Sequence, residues 1–314
     1  MAPLSPRTLI VCVTLAMAVA CGGGSNHTPT SPSPPPTGSN PPPNPPPNPP
    51  PTNPLTGQSA TIVAVGDIGE CGSVGVQQAA KIADGIDGQI VLAGDLAYMH
   101  GSMQDYLKCF DPFWGNFRRR WRPAPGNHEY ETPGAAGYFQ YFGEAAGNGR
   151  SYYSFRAGDW LVLMLDSNIE RERGSQQYEF VRGELTTNRL PCAMAVFHHP
   201  LFTSGPNGPN IFMRDIWALM YELNADVIVA GHDHLYERFG KQDVDGRSDS
   251  RGIRQFIVGT GGARLYDFQR VSANSQARIK THGVLRLTLD STSYSWAFLD
   301  ATGATADSGS DSCH

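Results

Sequence analysis

Five short apolar stretches of this chain each run directly into a residue that can bind a metal ion. They read TIVAV at 61–65, QIVLA at 89–93, RPAP at 122–125, AMAVF at 193–197 and DVIVA at 226–230. The segments that follow are, in order, GDIG, GD, GNHE, HHP and GHDH. Four of these runs have the length and composition of buried strands, and RPAP at 122–125 is expected to be a short extended piece. Four of these polar segments begin with glycine, which lets a backbone leave a strand and approach an ion closely.

Helix-like segments separate the strands and predict an α/β fold. Helices are expected at 75–83, 175–187 and 211–223, and further strands at 151–155, 160–165, 253–258, 284–289 and 294–299. Strands that alternate with helices and then give way mostly to strands favour an α/β sandwich with mixed sheets. Residues 58–314 are long enough for one domain of catalytic size.

The polar segments should converge, because open α/β sheets gather functional groups beyond the carboxyl ends of their strands. Five of the nine histidines fall in three of these segments. Two aspartates, an asparagine and three histidines exceed the four ligands that one zinc ion takes. They suit two ions that share a carboxylate. The mixture of imidazole, carboxylate and amide favours Zn, Mn or Fe over Ca or Mg.

The segments GDIG, GDLAY, GNHE, HHP and GHDH, in that order, resemble the motifs of the calcineurin-like metallophosphoesterases. The tyrosine three residues after the aspartate of GDLAY, and the full segment GHDHLYER, resemble the purple acid phosphatases in a short bacterial form. This resemblance implies a four-layer αββα sandwich with two mixed sheets. It also implies two metal ions, Fe(III) and a divalent Zn, Mn or Fe.

Carried over position by position, the resemblance implies a role for each ligand. The first ion would be bound by Asp67, Tyr98 and His234, the second by Asn127, His198 and His232, and Asp95 would bridge both. Tyr98 would bind as a phenolate, a hard donor suited to a trivalent ion; the alternative is a packed tyrosine beside two divalent ions.

Two further histidines are candidate catalytic residues. The resemblance implies that His128 touches the phosphate or the leaving group, and Glu129 could orient the same loop. In the family pattern His-x-Pro the ligand is His198, which leaves His199 beside the ligands or packed. A swap of His198 and His199 stays open.

The amino-terminal segment predicts export. Residues 8–20 (TLIVCVTLAMAVA) are apolar, too short to span a bilayer, and end in small residues before Cys21, as in a signal peptide. We expect residues 1–21 to be a signal peptide with a lipoprotein cleavage box, so that Cys21 carries a lipid anchor; an ordinary signal peptide is the alternative. Residues 22–57, rich in PPPN blocks, are expected to form a disordered proline-rich linker. The protein would then be periplasmic or on the cell surface.

The net charge bears on nucleic-acid binding, and the cysteines bear on disulfide formation. The net charge of −5 argues against nucleic-acid binding. The four cysteines beyond the export segment are an even number in an oxidising compartment and predict disulfides. Cys71 and Cys109 lie near two of the candidate site segments and are paired, which leaves Cys192 with Cys313.

The predicted activity is hydrolysis of phosphate monoesters, with a metal-activated hydroxide attacking phosphorus and His128 protonating the leaving oxygen. The alternative enzyme is a phosphodiesterase or nucleotidase on the same scaffold. A different class would be a surface binding protein that keeps the fold without catalysis, which the intact ligand set argues against.

Overall fold

The described part of the chain, residues 55–314 of a computed structural model, is built on two β-sheets. The strands are β1 (Ala60–Val65), β2 (Gln89–Ala93), β3 (Trp121–Ala124), β4 (Tyr153–Ala157), β5 (Trp160–Met164), β6 (Cys192–Val196), β7 (Val227–Ala230), β8 (Tyr236–Phe239), β9 (Arg254–Val258), β10 (Ser275–Ile279), β11 (Gly283–Leu289), β12 (Ser293–Asp300) and β13 (Thr305–Ser312).

Both sheets are mixed. The six-stranded sheet has the order β13-β12-β11-β1-β2-β3, in which β1, β2 and β3 are parallel and β11, β12 and β13 join antiparallel. The seven-stranded sheet has the order β10-β8-β9-β7-β6-β5-β4, in which β5, β6, β7 and β9 are parallel. The parallel strands thus form one half of the six-stranded sheet, with β3 at its edge, and the centre of the seven-stranded sheet, and their carboxyl ends are available for a site.

Helices cover the outer faces of the two sheets. They are α1 (Val74–Asp84), α2 (Met103–Asp105), α3 (Asp111–Trp114), α4 (Asn127–Tyr130), α5 (Ala136–Phe142), α6 (Gln176–Thr187) and α7 (Arg214–Glu222). A π-helix, Tyr106–Phe110, joins α2 to α3, and short 3₁₀ turns occur at Gly115–Phe117, Pro133–Ala135, Gly143–Ala146 and Ile211–Met213.

Three apolar layers hold the four layers of structure together. One lies between the sheets and contains Val91, Val162, Val229 and Leu287. A second packs the outer face of the six-stranded sheet against helices and is rich in aromatic side chains, and a third does the same for the seven-stranded sheet with α6 and α7. The predicted four-layer αββα sandwich with two mixed sheets is confirmed.

The predicted elements are present, mostly with shifts of one or two residues at their ends. The segment predicted as one helix at 211–223 begins as the 3₁₀ turn Ile211–Met213 before α7. In α6 the predicted cap is formed, since the Ser175 hydroxyl accepts a hydrogen bond from the Tyr178 amide at 3.2 Å. Strands β8, β10 and β13 and the helices of 103–146 were not predicted.

Two disulfides join Cys71 to Cys109 and Cys192 to Cys313, as predicted. The predicted signal peptide, and the predicted linker up to residue 54, lie outside the described residues. At residues 56–57 the chain is already held, because Asp159 accepts hydrogen bonds from the Thr56 and Gly57 amides at 2.7 and 3.0 Å. Within residues 55–314, no helix combines the length and the apolar character needed to cross a membrane.

Candidate metal centre

All seven predicted metal ligands follow strand ends that meet between the two sheets. Asp67 follows β1, Asp95 and Tyr98 follow β2, and Asn127 begins α4 just after β3. His198 follows β6 in the other sheet, and His232 and His234 follow β7. The predicted convergence on one edge of the sandwich is therefore present.

One half of this cluster, the tyrosine side, consists of Asp67, Tyr98 and His234. The Tyr98 hydroxyl oxygen lies 3.0 Å from Asp67 Oδ1 and 3.0 Å from His234 Nε2. His234 Nε2 is in turn 3.2 Å from Asp67 Oδ1. All three side chains are buried. Three potential ligand atoms thus face one another in a closed space.

The other half, the asparagine side, consists of Asn127, His198 and His232. His198 Nε2 lies 3.1 Å from Asn127 Oδ1 and 3.2 Å from His232 Nδ1. Asn127 and His232 are only half-buried, so this side is more open to solvent than the tyrosine side.

Asp95 lies between the two sides. Its Oδ2 atom is 3.1 Å from His198 Nε2 on the asparagine side and 3.3 Å from the Tyr98 hydroxyl on the tyrosine side. Its other oxygen accepts the His128 amide hydrogen at 2.8 Å. A single oxygen of Asp95 thus contacts side-chain ligand atoms of both halves, which is the position that a bridging carboxylate requires, whereas Asp67 reaches the asparagine side through the backbone amide of His232, at 2.9 Å.

Hydrogen bonds on the far side of two histidines fix which ring nitrogen carries the proton. His198 Nδ1 lies 2.9 Å from the Ala93 carbonyl oxygen, and His234 Nδ1 lies 2.8 Å from that of Arg264. A carbonyl oxygen only accepts hydrogen bonds, so each Nδ1 carries the hydrogen and each Nε2 of a neutral ring turns a lone pair towards the site. These lone pairs face carboxylate and amide oxygens, an arrangement that needs a cation. The donor set therefore fits metal ions.

The pKa shifts of the ligand side chains also indicate that the cluster favours positive charge. Burial alone would lower the pKa of His198, but the Asp95 carboxylate raises that pKa to about 10. Burial alone would raise the pKa of Asp95, but His198 and His128 hold it below its usual range. On the tyrosine side, burial and the Asp67 carboxylate raise the pKa of Tyr98 well above its usual value. A phenolate at Tyr98 therefore requires a strongly charged ion beside it.

Glycine is needed where ligands crowd the backbone. A Cβ on Gly94 would lie 2.5 Å from His198 Nδ1, and Gly94 has φ +81. A Cβ on Gly231 would lie 2.5 Å from Asp67 Oδ2. Any other residue at either position would displace a ligand, which explains in physical terms why the segments GD and GHDH begin with glycine.

Glu129 is buried and positions the bridging loop. Its carboxylate accepts hydrogen bonds from the Gly126 amide at 2.7 Å and from the Asp95 and Leu96 amides at 2.9 Å. The Tyr106 hydroxyl donates to it at 2.9 Å. Glu129 thus ties the loop after β3 to the loop after β2, in agreement with the orienting role that the sequence suggested for it.

His128 lies at the open edge of the cluster. Its Nδ1 atom is 2.5 Å from the Met99 carbonyl oxygen, so Nδ1 carries a hydrogen and Nε2 is turned inward, 3.9 Å from Asp95 Oδ2. The His128 side chain is 22% exposed. A partly exposed imidazole nitrogen beside the ligands can reach a bound substrate.

His199 also belongs to the cluster. Its ring centre lies 4.3 Å from that of His232, and one nitrogen from each of His198, His199 and His232 lies within 4.8 Å of the others. Ser167, which sequence reasoning missed, holds His199 through a 2.7 Å contact between its hydroxyl and Nδ1. Burial and the neighbouring His198 lower the pKa of His199 to about 2. The ring is therefore neutral at pH 7.

Comparison with known proteins gives the cluster a family context. The sequence model of the calcineurin-like phosphoesterase family matches residues 60–236. Purple acid phosphatase 18 of Arabidopsis thaliana is 29% identical over 192 residues, 55% of this chain and 43% of that protein. The chain thus spans less than half the length of this relative.

Solved structures agree on the fold. The purple acid phosphatase PPD1 from yellow lupin (Lupinus luteus) matches with a TM-score of 0.70 and 21% identity, over 82% of this chain and 54% of that one. GAP50 of Plasmodium, described as the anchor in the inner membrane complex, matches with a TM-score of 0.59 and 12% identity, over 82% and 89%.

The family match spans more than half of the chain and all the strands that carry the ligand cluster. Metallophosphoesterases use metal ions, and the Asp and His cluster between the sheets is a candidate site for them. The chain belongs to the calcineurin-like phosphoesterase family, and its relatives include purple acid phosphatases.

Proposed function

We propose that this protein hydrolyses phosphate monoesters at a centre of two metal ions. The observation that carries the proposal is the convergence of lone pairs from two sheets around Asp95, which touches both halves of the ligand cluster. The tyrosine side would hold Fe(III), because a buried phenol with a raised pKa yields a phenolate only to a strongly charged ion. The asparagine side would hold a divalent Zn, Mn or Fe ion.

When bound, the two ions would supply an activated water and positive charge for the transferring phosphoryl group. The protein's own groups then divide the remaining work. Asp67 and Asp95 would hold the ions, and Glu129 keeps the Asp95 loop in place. His128 Nε2, at the open edge, is placed to donate a proton to the leaving oxygen. His199 Nε2 is placed to hydrogen-bond a phosphate oxygen from the asparagine side.

Charge supports a monoester as the substrate. The formal charge of a trivalent and a divalent ion exceeds that of two carboxylates and one phenolate, so the centre keeps a net positive charge. A dianionic monoester complements this charge better than a monoanionic diester does. A phosphodiesterase or nucleotidase on the same scaffold is the second candidate.

The test compares p-nitrophenyl phosphate with bis(p-nitrophenyl) phosphate on the metal-loaded protein. We expect a higher kcat/KM for the monoester, and loss of kcat for both esters in His128→Ala. A higher kcat/KM for the diester would assign the second candidate. No hydrolysis of either ester by a protein that holds both metals would point to a binding function.

We also propose that the protein is exported and anchored through a lipid on Cys21, with residues 22–57 as a spacer. Two disulfides in the described residues support an oxidising compartment. In cell fractionation, Cys21→Ser should move the protein from the membrane to the soluble fraction with unchanged phosphatase activity. A soluble wild type with an unmodified amino terminus would contradict the anchor.

A further inference from the structure

Arg171 is a half-buried cation that forms no ion pair at 4.0 Å or less within residues 55–314. Its Nε atom is buried without a hydrogen-bond partner, and its Nη1 atom donates to the Ile169 carbonyl oxygen. The carboxylates of Glu172 and Asp166 act on this charge from a longer range. Partial burial of a guanidinium without a paired carboxylate is costly, so an anionic ligand beside it would be stabilised.

A series of contacting rings connects this cation to the metal cluster. The guanidinium carbon of Arg171 lies 4.3 Å from the centre of the Phe212 ring. Phe212 lies 5.3 Å from His199, and His199 lies 4.3 Å from the predicted ligand His232. Phe212 is 41% exposed. Arg171 and Phe212 therefore form a wall on the asparagine side of the site, the side that is open to solvent.

Distance decides which part of a substrate this wall can meet. Two rings, His199 and Phe212, stand between Arg171 and His232. A phosphate held by metal ions at His232 would therefore contact His199 and His128. Arg171 would contact a group further along the substrate. A guanidinium stacked on an aromatic ring still presents its hydrogen-bond donors at its edge, in the geometry that suits phosphate.

We propose that Arg171, supported by Phe212, binds a second phosphate on the leaving group, so that the preferred substrates carry two phosphates. This inference rests on the proposed phosphatase function and adds a substrate class to it. Arg171 is a specificity residue in this account, because it would touch the leaving group and not the phosphorus under attack.

The test uses two substrates that differ by one phosphate, fructose 6-phosphate and fructose 1,6-bisphosphate. In the wild type we expect a higher kcat/KM for the bisphosphate. In Arg171→Gln that advantage should fall by roughly tenfold or more, through KM, because a charge-assisted hydrogen bond is lost. Arg171→Lys should keep part of it. The matched control is Arg173→Gln in the same loop, whose guanidinium lies over Tyr178 at 5.6 Å, away from the cluster.

A binding measurement separates this inference from the proposed function. Calorimetry compares hexane-1,6-bisphosphonate, whose two phosphonates are far enough apart to reach both the metal centre and Arg171, with hexylphosphonate on the metal-loaded protein; neither compound is hydrolysed. A bisphosphonate preference that is lost in Arg171→Gln and kept in Arg173→Gln supports the inference even if no ester is turned over. Equal affinities in the wild type, or a preference that survives in both Arg171→Gln and Arg171→Lys, would overturn it while leaving phosphatase activity unaffected.

Discussion

The two ends of strands β6 and β7 carry clusters that look alike by composition and differ in chemistry. At the carboxyl ends, His198 and His232 meet Asp95. At the amino ends, Cys192 and Asp226 meet Cys313 and His314, again with metal-ligand atoms from Cys192, Asp226 and Cys313 within 4.8 Å of one another. Proximity of ligand-type residues alone would assign a metal to both ends.

The amino-terminal cluster, which we call the clamp, satisfies its own groups. Cys192 and Cys313 form a disulfide, and disulfide sulfurs are not thiolate ligands. One oxygen of Asp226 accepts the Ala193 amide hydrogen at 2.9 Å, and the other accepts the amide and the Nδ1 of His314, both at 2.9 Å. Both oxygens of Asp226 accept hydrogen bonds from protein donors, so the clamp requires no metal ion.

In the cluster at the carboxyl ends the acceptor atoms lack donors, since Nε2 lone pairs of neutral histidines there face oxygen lone pairs. Hydrogen bonding, and not residue type, therefore separates the candidate metal site from the structural cluster. Substitutions at the two ends should accordingly fall into two classes, one that affects catalysis and metals and one that affects stability.

Asp95→Asn should have the largest effect. Removal of the charge that touches both halves of the cluster should lower kcat for p-nitrophenyl phosphate by at least about 10³-fold. Steady-state kinetics on the folded variant measures this. Asp226→Asn in the clamp is the matched control, and its kcat should stay near the wild-type value. Comparable losses of kcat in both variants would erase the distinction between the two ends.

Opening the clamp should affect stability and leave catalysis intact. Cys192→Ala combined with Cys313→Ala should lower the free energy of unfolding by about 2–4 kcal/mol, with kcat unchanged. Denaturant unfolding gives the first value. The pair Cys71→Ala and Cys109→Ala is the comparison, because it closes a shorter loop, 38 residues against 121, and should cost less by chain entropy. A larger loss from the 71–109 pair would argue against the entropic account.

Tyr98→Phe should act on the tyrosine side alone. The substitution keeps the ring and removes only the hydroxyl, so the free energy of unfolding should change by about 1 kcal/mol. Oxidised, iron-loaded wild type should absorb visible light through charge transfer from phenolate to iron, and the variant should not. An iron-loaded wild type without a visible band would remove Fe(III) from the proposal and leave two divalent ions. A band that persists in the variant would mean that another group supplies the donor.

The smallest expected effect is a pH dependence in the clamp. The hydrogen bond to Asp226 raises the pKa of His314 above its usual value. A base with a raised folded-state pKa adds stability that is complete below its ordinary pKa of about 6.5 and is lost as pH rises through the raised value. The free energy of unfolding should be measured as pH rises through this range. We expect it to fall by up to about 1 kcal/mol more in the wild type than in His314→Ala. Parallel profiles for the two proteins would contradict this linkage.

Much of the fold and most of the cluster could be predicted from the sequence, for one physical reason. Apolar β-branched runs such as QIVLA form buried strands, and a ligand that directly follows such a run is placed at the sheet edge by the strand itself. Asp67, Asp95, His198 and His232 have this origin, Tyr98 and His234 lie a few residues further along the same loops, and Asn127 follows the extended segment RPAP.

Features without a local pattern could not be predicted. Strand β13 reads TADSGSDS and pairs with β12 through its backbone, so no hydrophobic alternation marks it. Ser167 and Arg171 lie in the loop between β5 and α6, where only the tertiary structure brings them to His199 and Phe212. Asp226 could be predicted as a strand end but not as part of the clamp, since its partner His314 is distant in sequence.

The central claim is that the cluster at the carboxyl ends holds two metal ions and the clamp holds none. Elemental analysis of the purified, metal-loaded protein, with Asp95→Asn and Asp226→Asn in parallel, tests it directly. We predict two ions per chain in the wild type and in Asp226→Asn, and a loss of metal in Asp95→Asn. A wild type with one ion or none, or an Asp95→Asn protein that keeps both, would contradict the account.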